Sequence, residues 1–260
     1  MENYIVLETY DNAFEAELAK GLLEENGIVV ELKNALINSI YPTFAGDMYH
    51  LELCVAVDQS EAARLILDTY TDGFTTHKIL QQEGALLEGH FQLTSGRHSS
   101  RYIEKIRILQ NPEQASLLCK MIAERLAEHE FDAVAGPAYG GIALAFETAR
   151  QLGSRFLFAQ RQDEKMTVRS GFDLSAIKSV VIIEDIVTTG GSVKEVIDYF
   201  KSVDINVAAI AAIVDRSGGK VDFGCEFIPL LTLDIPSWEA EECPLCKSGT
   251  PLTKPGSSDK

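Results

Sequence analysis

The chain has 260 residues, 46% hydrophobic and 24% charged, with a formal net charge of −16. That composition fits a globular protein of one large domain or two unequal ones. The charge excludes a good match to nucleic acid or an anionic membrane surface.

The acidity is uneven. Residues 1–70 hold three Lys/Arg and thirteen Asp/Glu, a net −10, whereas the remaining 190 hold 20 against 26, a net −6. An anionic substrate must therefore be held by local basic groups, loop amides and a metal. No run approaches the roughly 18 apolar residues of a membrane span. The start, Met-Glu-Asn-Tyr, lacks the basic and apolar regions of a secretory signal, so the cytoplasm is the expected location. The five cysteines, Cys54, Cys119, Cys225, Cys243 and Cys246, are odd in number and scattered, unlike a disulfide framework.

Tyr4 to Glu8 reads as a strand. Asn12 to Asn26 reads as a helix with Phe14, Leu18, Leu22 and Leu23 at helical spacing, Asp11 as cap and Gly27 as stop. Ile28 to Leu32 is a second strand, residues 34–48 a loop, and Tyr49 to Val57 an alternating strand. Ser60 to Tyr70 is a second helix, with Ala63, Ile66, Leu67 and Tyr70 inward. The order β-α-β-β-α predicts a small ferredoxin-like α+β domain over residues 1–72. Thr71-Asp-Gly73 is the predicted linker, on Asp-Gly turn chemistry.

A second pattern fills residues 73–260. Phe74 to Leu87 reads as a helix interrupted near Gly84. A strand to Leu93, a turn at Thr94-Ser95-Gly96 and a returning strand from Arg101 follow. Pro112 to Glu128 is a helix, with Asn111 as cap. Short strands at Ala133–Ala135 and Arg155–Ala159 flank a helix from Gly141 to Leu152. Val180–Ile183 and Val207–Val214 are apolar strands with the helix Val193–Ser202 between them. Alternating strands and helices predict an α/β domain: a parallel sheet with helices on both faces. Ligands in such sheets sit beyond the carboxyl ends of the strands. The Gly136 loop, the Glu184 loop and Asp215-Arg216 all lie at that end.

The stretch Val180-Val-Ile-Ile-Glu-Asp-Ile-Val-Thr-Thr-Gly-Gly-Ser192 is the most informative. A buried strand delivers two carboxylates, Glu184 and Asp185, and a hydroxyl-and-glycine loop opens a helix. Loop amides at a helix start suit a phosphate, and the carboxylates suit ribose hydroxyls.

This stretch resembles the phosphoribosyl-diphosphate (PRPP) signature of type I phosphoribosyltransferases. Residues 77–255 resemble the orotate phosphoribosyltransferases of that family. Five motifs carry the resemblance in order: Leu87 to His98 with its Leu-Thr-Ser-Gly-Arg-His run, Gly136-Pro-Ala-Tyr-Gly-Gly141, Arg161 to Phe172, the stretch above, and Val214-Asp-Arg-Ser-Gly218. The resemblance implies transfer of ribose 5-phosphate from PRPP to N1 of orotate, with release of pyrophosphate. It implies PRPP contacts at Tyr139, Arg161, Lys165, Glu184, Asp185, Ile186, Val187, Thr188, Thr189, Gly190, Gly191 and Ser192. Glu184, Asp185, Arg161 and Lys165 carry the catalytic roles. Orotate contacts are implied at Thr188, Arg216, Thr94, Ser95, Gly96, Arg97 and Tyr102, with Ile103 beside Tyr102. Mg²⁺ is the implied cofactor, bound mainly through substrate oxygens, with no dedicated protein ligand set. Arg161 to Arg169 is implied to be a mobile loop closing over PRPP and reaching a neighbouring subunit, hence a homodimer. Residues 3–70 resemble short bacterial signal-transducing-protein modules, in the run from Glu15 to Ile28, which implies a regulatory or interaction role.

The chain departs from the better-known branch at four basic positions, which here are Thr94, Gly140, Gln162 and Thr167. His90 and His98 read as hydrogen-bonding strand or turn residues. Cys243-Pro-Leu-Cys246 is half a zinc knuckle, and one pair cannot complete a four-ligand site. Cys225 or a second subunit would have to complete it, and a reduced structural turn is the expected form. Two rivals stand beside the orotate reading: a purine or uracil phosphoribosyltransferase, and a PRPP-binding regulator without catalysis.

Overall fold

The computed structural model describes residues 4–34, 50–93, 95–163 and 165–255. Its contacts divide the chain into two compact units, Met1–Asp72 and Gly73–Lys260.

In the first unit, β1 (Tyr4–Tyr10), β2 (Val30–Lys33) and β3 (Leu51–Ala56) form a sheet in the order β1-β3-β2, with β3 antiparallel to both neighbours. The connection β1-α1-β2 is thus a split βαβ unit with β3 inserted. Helix α1 (Ala13–Glu25) is capped by Asn12, whose side chain accepts from the Phe14 amide at 2.8 Å. Asp11 is therefore not the cap. The buried face of α1 is Ala16, Ala19 and Leu23, and Phe14 is 74% exposed. The larger residues Phe14 and Leu18 had suggested a different stripe. Small alanines face the sheet instead and let the helix approach it closely, with Leu7, Leu23, Leu53, Val55, Ala63 and Leu67 making the core. Tyr70 likewise lies outside that core.

Helix α2 runs unbroken from Ser60 to Gln82. The predicted linker at Thr71–Gly73 is thus helical. A single glycine costs a helix only about 1 kcal/mol, and the surrounding turns outweigh it. The helix stops before Gly84, which has a positive φ.

In the second unit a six-stranded sheet has the order β11-β10-β9-β6-β7-β8. Five strands are parallel: β6 (Ala133–Pro137), β7 (Arg155–Gln162), β9 (Ser179–Val187), β10 (Asn206–Asp215) and β11 (Glu226–Thr232). The edge strand β8 (Lys165–Val168) is antiparallel to β7. Alternate residues feed two cores. Val181, Ile183, Ala209 and Ala211 pack with Leu118 and Ile122 of α4 (Pro112–Arg125) and with Leu144 of α5 (Gly140–Leu152). Val180, Ile182, Ile210 and Ala212 pack with Val196, Ile197 and Phe200 of α6 (Gly191–Ser202). Burial on both faces explains why these strands read as unbroken apolar runs.

A separate antiparallel sheet joins β4 (Leu86–Gln92), β5 (His98–Ile103) and β12 (Ser237–Trp238) in the order β12-β5-β4, and the short helix α3 (Lys105–Leu109) follows β5. The chain's last described turn, α7 (Pro244–Lys247), leads back to this sheet: Thr253 exchanges hydrogen bonds with His90 and Gln92 at 2.8 and 2.9 Å. That return sets Cys243 and Cys246 against His90 and His98, while Cys225 lies apart beside β11. Cys225 is therefore not the residue that joins the cysteine pair.

Candidate active site

Strand β9 continues past Ile183 to Val187, so Glu184 and Asp185 lie within the ladder, Glu184 opposite Ala212 of β10. Both carboxylates are buried, with Asp185 only 3% exposed. Glu184 accepts from the Asp185 amide at 2.9 Å, and Asp185 accepts from the Ile186 amide at 2.7 Å. Lys105, in the first turn of α3, places Nζ 2.9 Å from Asp185 Oδ2. Burial opposes the charge on Lys105. The attraction and hydrogen bond of Asp185, joined by Glu184, prevail and hold its pKa above the ordinary lysine value. Burial, reinforced by the adjacent Asp185, pushes the Glu184 carboxyl well above the usual carboxylate range. Lys105 escaped the sequence analysis. The available signal was a basic residue two positions past the end of the strand that carries Tyr102.

Beyond Val187 the chain turns through Thr188, Thr189 and Gly190 into α6. Gly190 has φ +74°, and a Cβ there would lie 2.7 Å from the Phe223 ring and 2.9 Å from Val221. Only glycine fits that turn. No side chain caps the start of α6, so its first amides are left to a ligand or water. Glu184 and the run Ile186–Val193 line a cleft of ≈ 170 Å³. A helix N-terminus opening on such a cleft suits an anion, by geometry and by dipole.

Three further segments approach the carboxyl ends of the strands. The β6–α5 loop has a cis peptide between Ala138 and Tyr139, and Tyr139 is 90% exposed. Gly140 opens α5 directly against Asp185: a Cβ at Gly140 would sit 1.6 Å from Asp185 Oδ2. After β10, the Arg216 amide donates to Val187 O at 2.7 Å, tying the exits of β10 and β9 together. Asp215 is buried and accepts from the amides of Ser217 (2.7 Å) and Gly219 (2.8 Å), which shapes this loop. Arg216 Nε is buried without a hydrogen-bond partner, and burial lowers the arginine's pKa. Tyr102 and Arg216 influence each other electrostatically, and burial raises the tyrosine's pKa.

The stretch Arg161–Arg169 is not an open loop. Most of it forms the β7–β8 hairpin, with Arg161 opposite Met166 and Gln162 opposite Lys165. Arg161 donates to Glu195 of α6 at 2.6 Å, and Lys165 is exposed. At the β4–β5 turn, Thr94 lies outside the described residues. Ser95 and Gly96 are exposed at the tip. Arg97, expected at the orotate, donates through its guanidinium to Ser237 Oγ (3.0 Å), Ser237 O (2.6 Å) and Glu239. Its donor fork is used in bracing the turn against β12.

Residues 106–238 match the family model described as "Phosphoribosyl transferase domain", and residues 5–71 match the one described as "Putative prokaryotic signal transducing protein". The orotate phosphoribosyltransferase of Thermotoga maritima is 48% identical over 180 residues, covering 69% of this chain and 96% of the relative. That of Caldicellulosiruptor bescii is 46% identical over 183 residues, covering 70% and 96%. Among solved structures, orotate phosphoribosyltransferase from Aeropyrum pernix is similar with a TM-score of 0.52 and 29% identity, covering 60% of this chain and 92% of the other. By its fold, its site and these relatives, the chain belongs to the phosphoribosyl transferase family, in its orotate phosphoribosyltransferase group.

Proposed function

We propose that the Gly73–Lys260 unit transfers ribose 5-phosphate from PRPP to N1 of orotate, releasing pyrophosphate and forming orotidine 5′-monophosphate. The observation that carries this reading is the pairing of two features at one end of the sheet. A cleft of ≈ 170 Å³ at a helix start lies beside two buried carboxylates, and the half-buried Arg216 has a buried Nε without a hydrogen-bond partner. An arginine fork suits the orotate carboxylate.

In this reading the amides of Thr188 to Ser192 hold the 5-phosphate. Glu184 and Asp185 hold the ribose hydroxyls and face the positive charge that develops at the anomeric carbon. Carboxylates fixed in a low-dielectric site stabilise such charge with little reorganisation. Lys105 holds Asp185 in place. Arg216 orients orotate with Tyr102, Thr188 and the Ser95–Gly96 turn. Arg161, Lys165 and Tyr139 serve the pyrophosphate end. The side-chain metal donors lining the cleft are all oxygen, the Glu184 carboxylate and the hydroxyls of Thr188, Thr189 and Ser192, with Asp185 next to Glu184 on the strand; that set fits Mg²⁺ held mostly by substrate oxygens and water. When bound, Mg²⁺ would neutralise charge on the diphosphate. A homodimer and a regulatory or interaction role for the Met1–Asp72 unit belong to the same proposal.

Steady-state consumption of orotate with PRPP and Mg²⁺ tests it. The Glu184→Ala/Asp185→Ala double variant should lose at least about 100-fold in kcat/KM. Binding of PRPP without turnover by the well-folded parent chain, or faster use of uracil or hypoxanthine, would refute the orotate assignment.

A further inference from the structure

Outside the active site, His90, His98, Cys243 and Cys246 bring four ligand atoms within 4.8 Å of one another. We propose that these four residues form a structural zinc site that fastens the carboxyl-terminal segment to the β4–β5 hairpin.

Several observations support this beyond proximity. His90 Nε2 lies 3.0 Å from His98 Nδ1, 3.5 Å from Cys243 Sγ and 3.7 Å from Cys246 Sγ, and Cys246 Sγ lies 3.2 Å from His98 Nδ1. Tetrahedral zinc with ordinary Zn–N and Zn–S bonds has ligand–ligand edges of about 3.3–3.8 Å. The cluster is therefore close to the size that one ion requires.

The hydrogen-bond accounting points the same way. His90 Nδ1 lies 2.8 Å from the Thr250 carbonyl, which can only accept. The ring's proton is thus on Nδ1, and Nε2 presents one lone pair inward. Three groups converge on that single lone pair, and a neutral imidazole nitrogen accepts from only one of them. A cation at the centre satisfies all four ligands at once. The Thr250 carbonyl is also the partner that a metal-bound histidine normally needs to fix its tautomer and orientation.

The chemistry of the set selects the metal. Two thiolates and two imidazoles in a closed tetrahedron suit zinc, and leave no open position for a substrate. His90, His98 and Cys243 are buried, whereas Cys246 is exposed and gives the ion its way in. Cys243 caps the single turn of α7 and Cys246 lies within it, a spacing that lets both sulfurs face one ion. The histidines come from opposite strands of one hairpin, near its turn. The site thus joins His90 to Cys243, 153 positions apart, and His98 to Cys246, 148 apart. It reinforces the Thr253 hydrogen bonds to β4 and the Arg97 bonds to Ser237 and Glu239. The chain stays fastened on both sides of the turn that bears Ser95 and Gly96.

The test uses the full chain, prepared without a histidine tag from zinc-supplemented medium and analysed for metal by mass spectrometry after gel filtration. One zinc per chain is expected. Cys246→Ser and His98→Gln should each lower occupancy several-fold, while Cys225→Ser keeps it. Cobalt exchanged into the parent should give intense visible bands of tetrahedral Co²⁺ and a near-ultraviolet thiolate band, both weakened in Cys246→Ser. Because Cys246 is exposed, that variant should fold, as circular dichroism will show. Chelation of the parent should lower Tm by about 5 °C or more. Zinc well below one per chain, retention of zinc by both ligand variants, or a Cys243–Cys246 disulfide in the fresh protein would each overturn the assignment.

Discussion

Gly140→Ala sets two effects of opposite sign against each other. Gly140 is the first residue of α5, and its backbone does not need a glycine conformation. Helix propensity alone makes alanine more stable there by at most about 1 kcal/mol. The new Cβ, however, would lie 1.6 Å from Asp185 Oδ2 and 2.7 Å from its Cγ. The carboxylate must move, and it is held by the Ile186 amide at 2.7 Å and by Lys105 at 2.9 Å. Displacing a buried charged acceptor from its partners costs about 2–4 kcal/mol, discounted because Lys105 is partly exposed. The steric effect wins, and a net destabilisation of about 1–3 kcal/mol is expected. Urea unfolding of parent and variant measures it. Turnover should fall at least about tenfold, since Asp185 no longer meets the sugar in its resting geometry. A variant as stable and as active as the parent would refute the reasoning.

Three other outcomes are expected. Lys105→Met should lower stability by about 1–2 kcal/mol at neutral pH, because it leaves Asp185 buried without its cation; an unchanged urea midpoint counts against it. Glu184 has a raised carboxyl pKa in the folded state, so the native state holds its proton longer than the unfolded chain. Stability should therefore fall as pH rises from the ordinary carboxylate range toward the raised value. Glu184→Gln removes this slope, and parallel stability-against-pH curves for parent and variant would rule it out. Glu147 behaves oppositely: hydrogen bonds from Arg150, Ser116 and Gln151 lower its pKa to about 2. Its contribution is present above the unfolded value and lost as pH falls toward 2, so Glu147→Gln should lose stability at pH 7 but less at pH 3, as acid titration followed by circular dichroism will show.

The sequence determined the parts whose signals are contiguous. Val180 to Ser192 places an apolar strand, two acids, a turn that only glycine fits and a helix start in one run, so the cleft at the end of β9 was legible in the sequence. The same holds for the parallel sheet, because strands buried on both faces must be apolar throughout. Other features depended on partners distant in the chain. Lys105 is an ordinary surface lysine until folding sets it against Asp185, 80 positions away. Arg97 gave no sign in sequence of Ser237 and Glu239, 140 and 142 positions away, to which it donates. The stripe on α1 misled because propensity and size do not say which residues the sheet admits, and Ala16 and Ala19 pack where Phe14 does not. Thr71–Gly73 read as a turn because local chemistry favours one, yet the helix continues through it. Cys243 and Cys246 were half a metal site in sequence. Only the return of the chain to His90 and His98 supplied the other half, because a tetrahedron of ligands is a property of space and not of spacing.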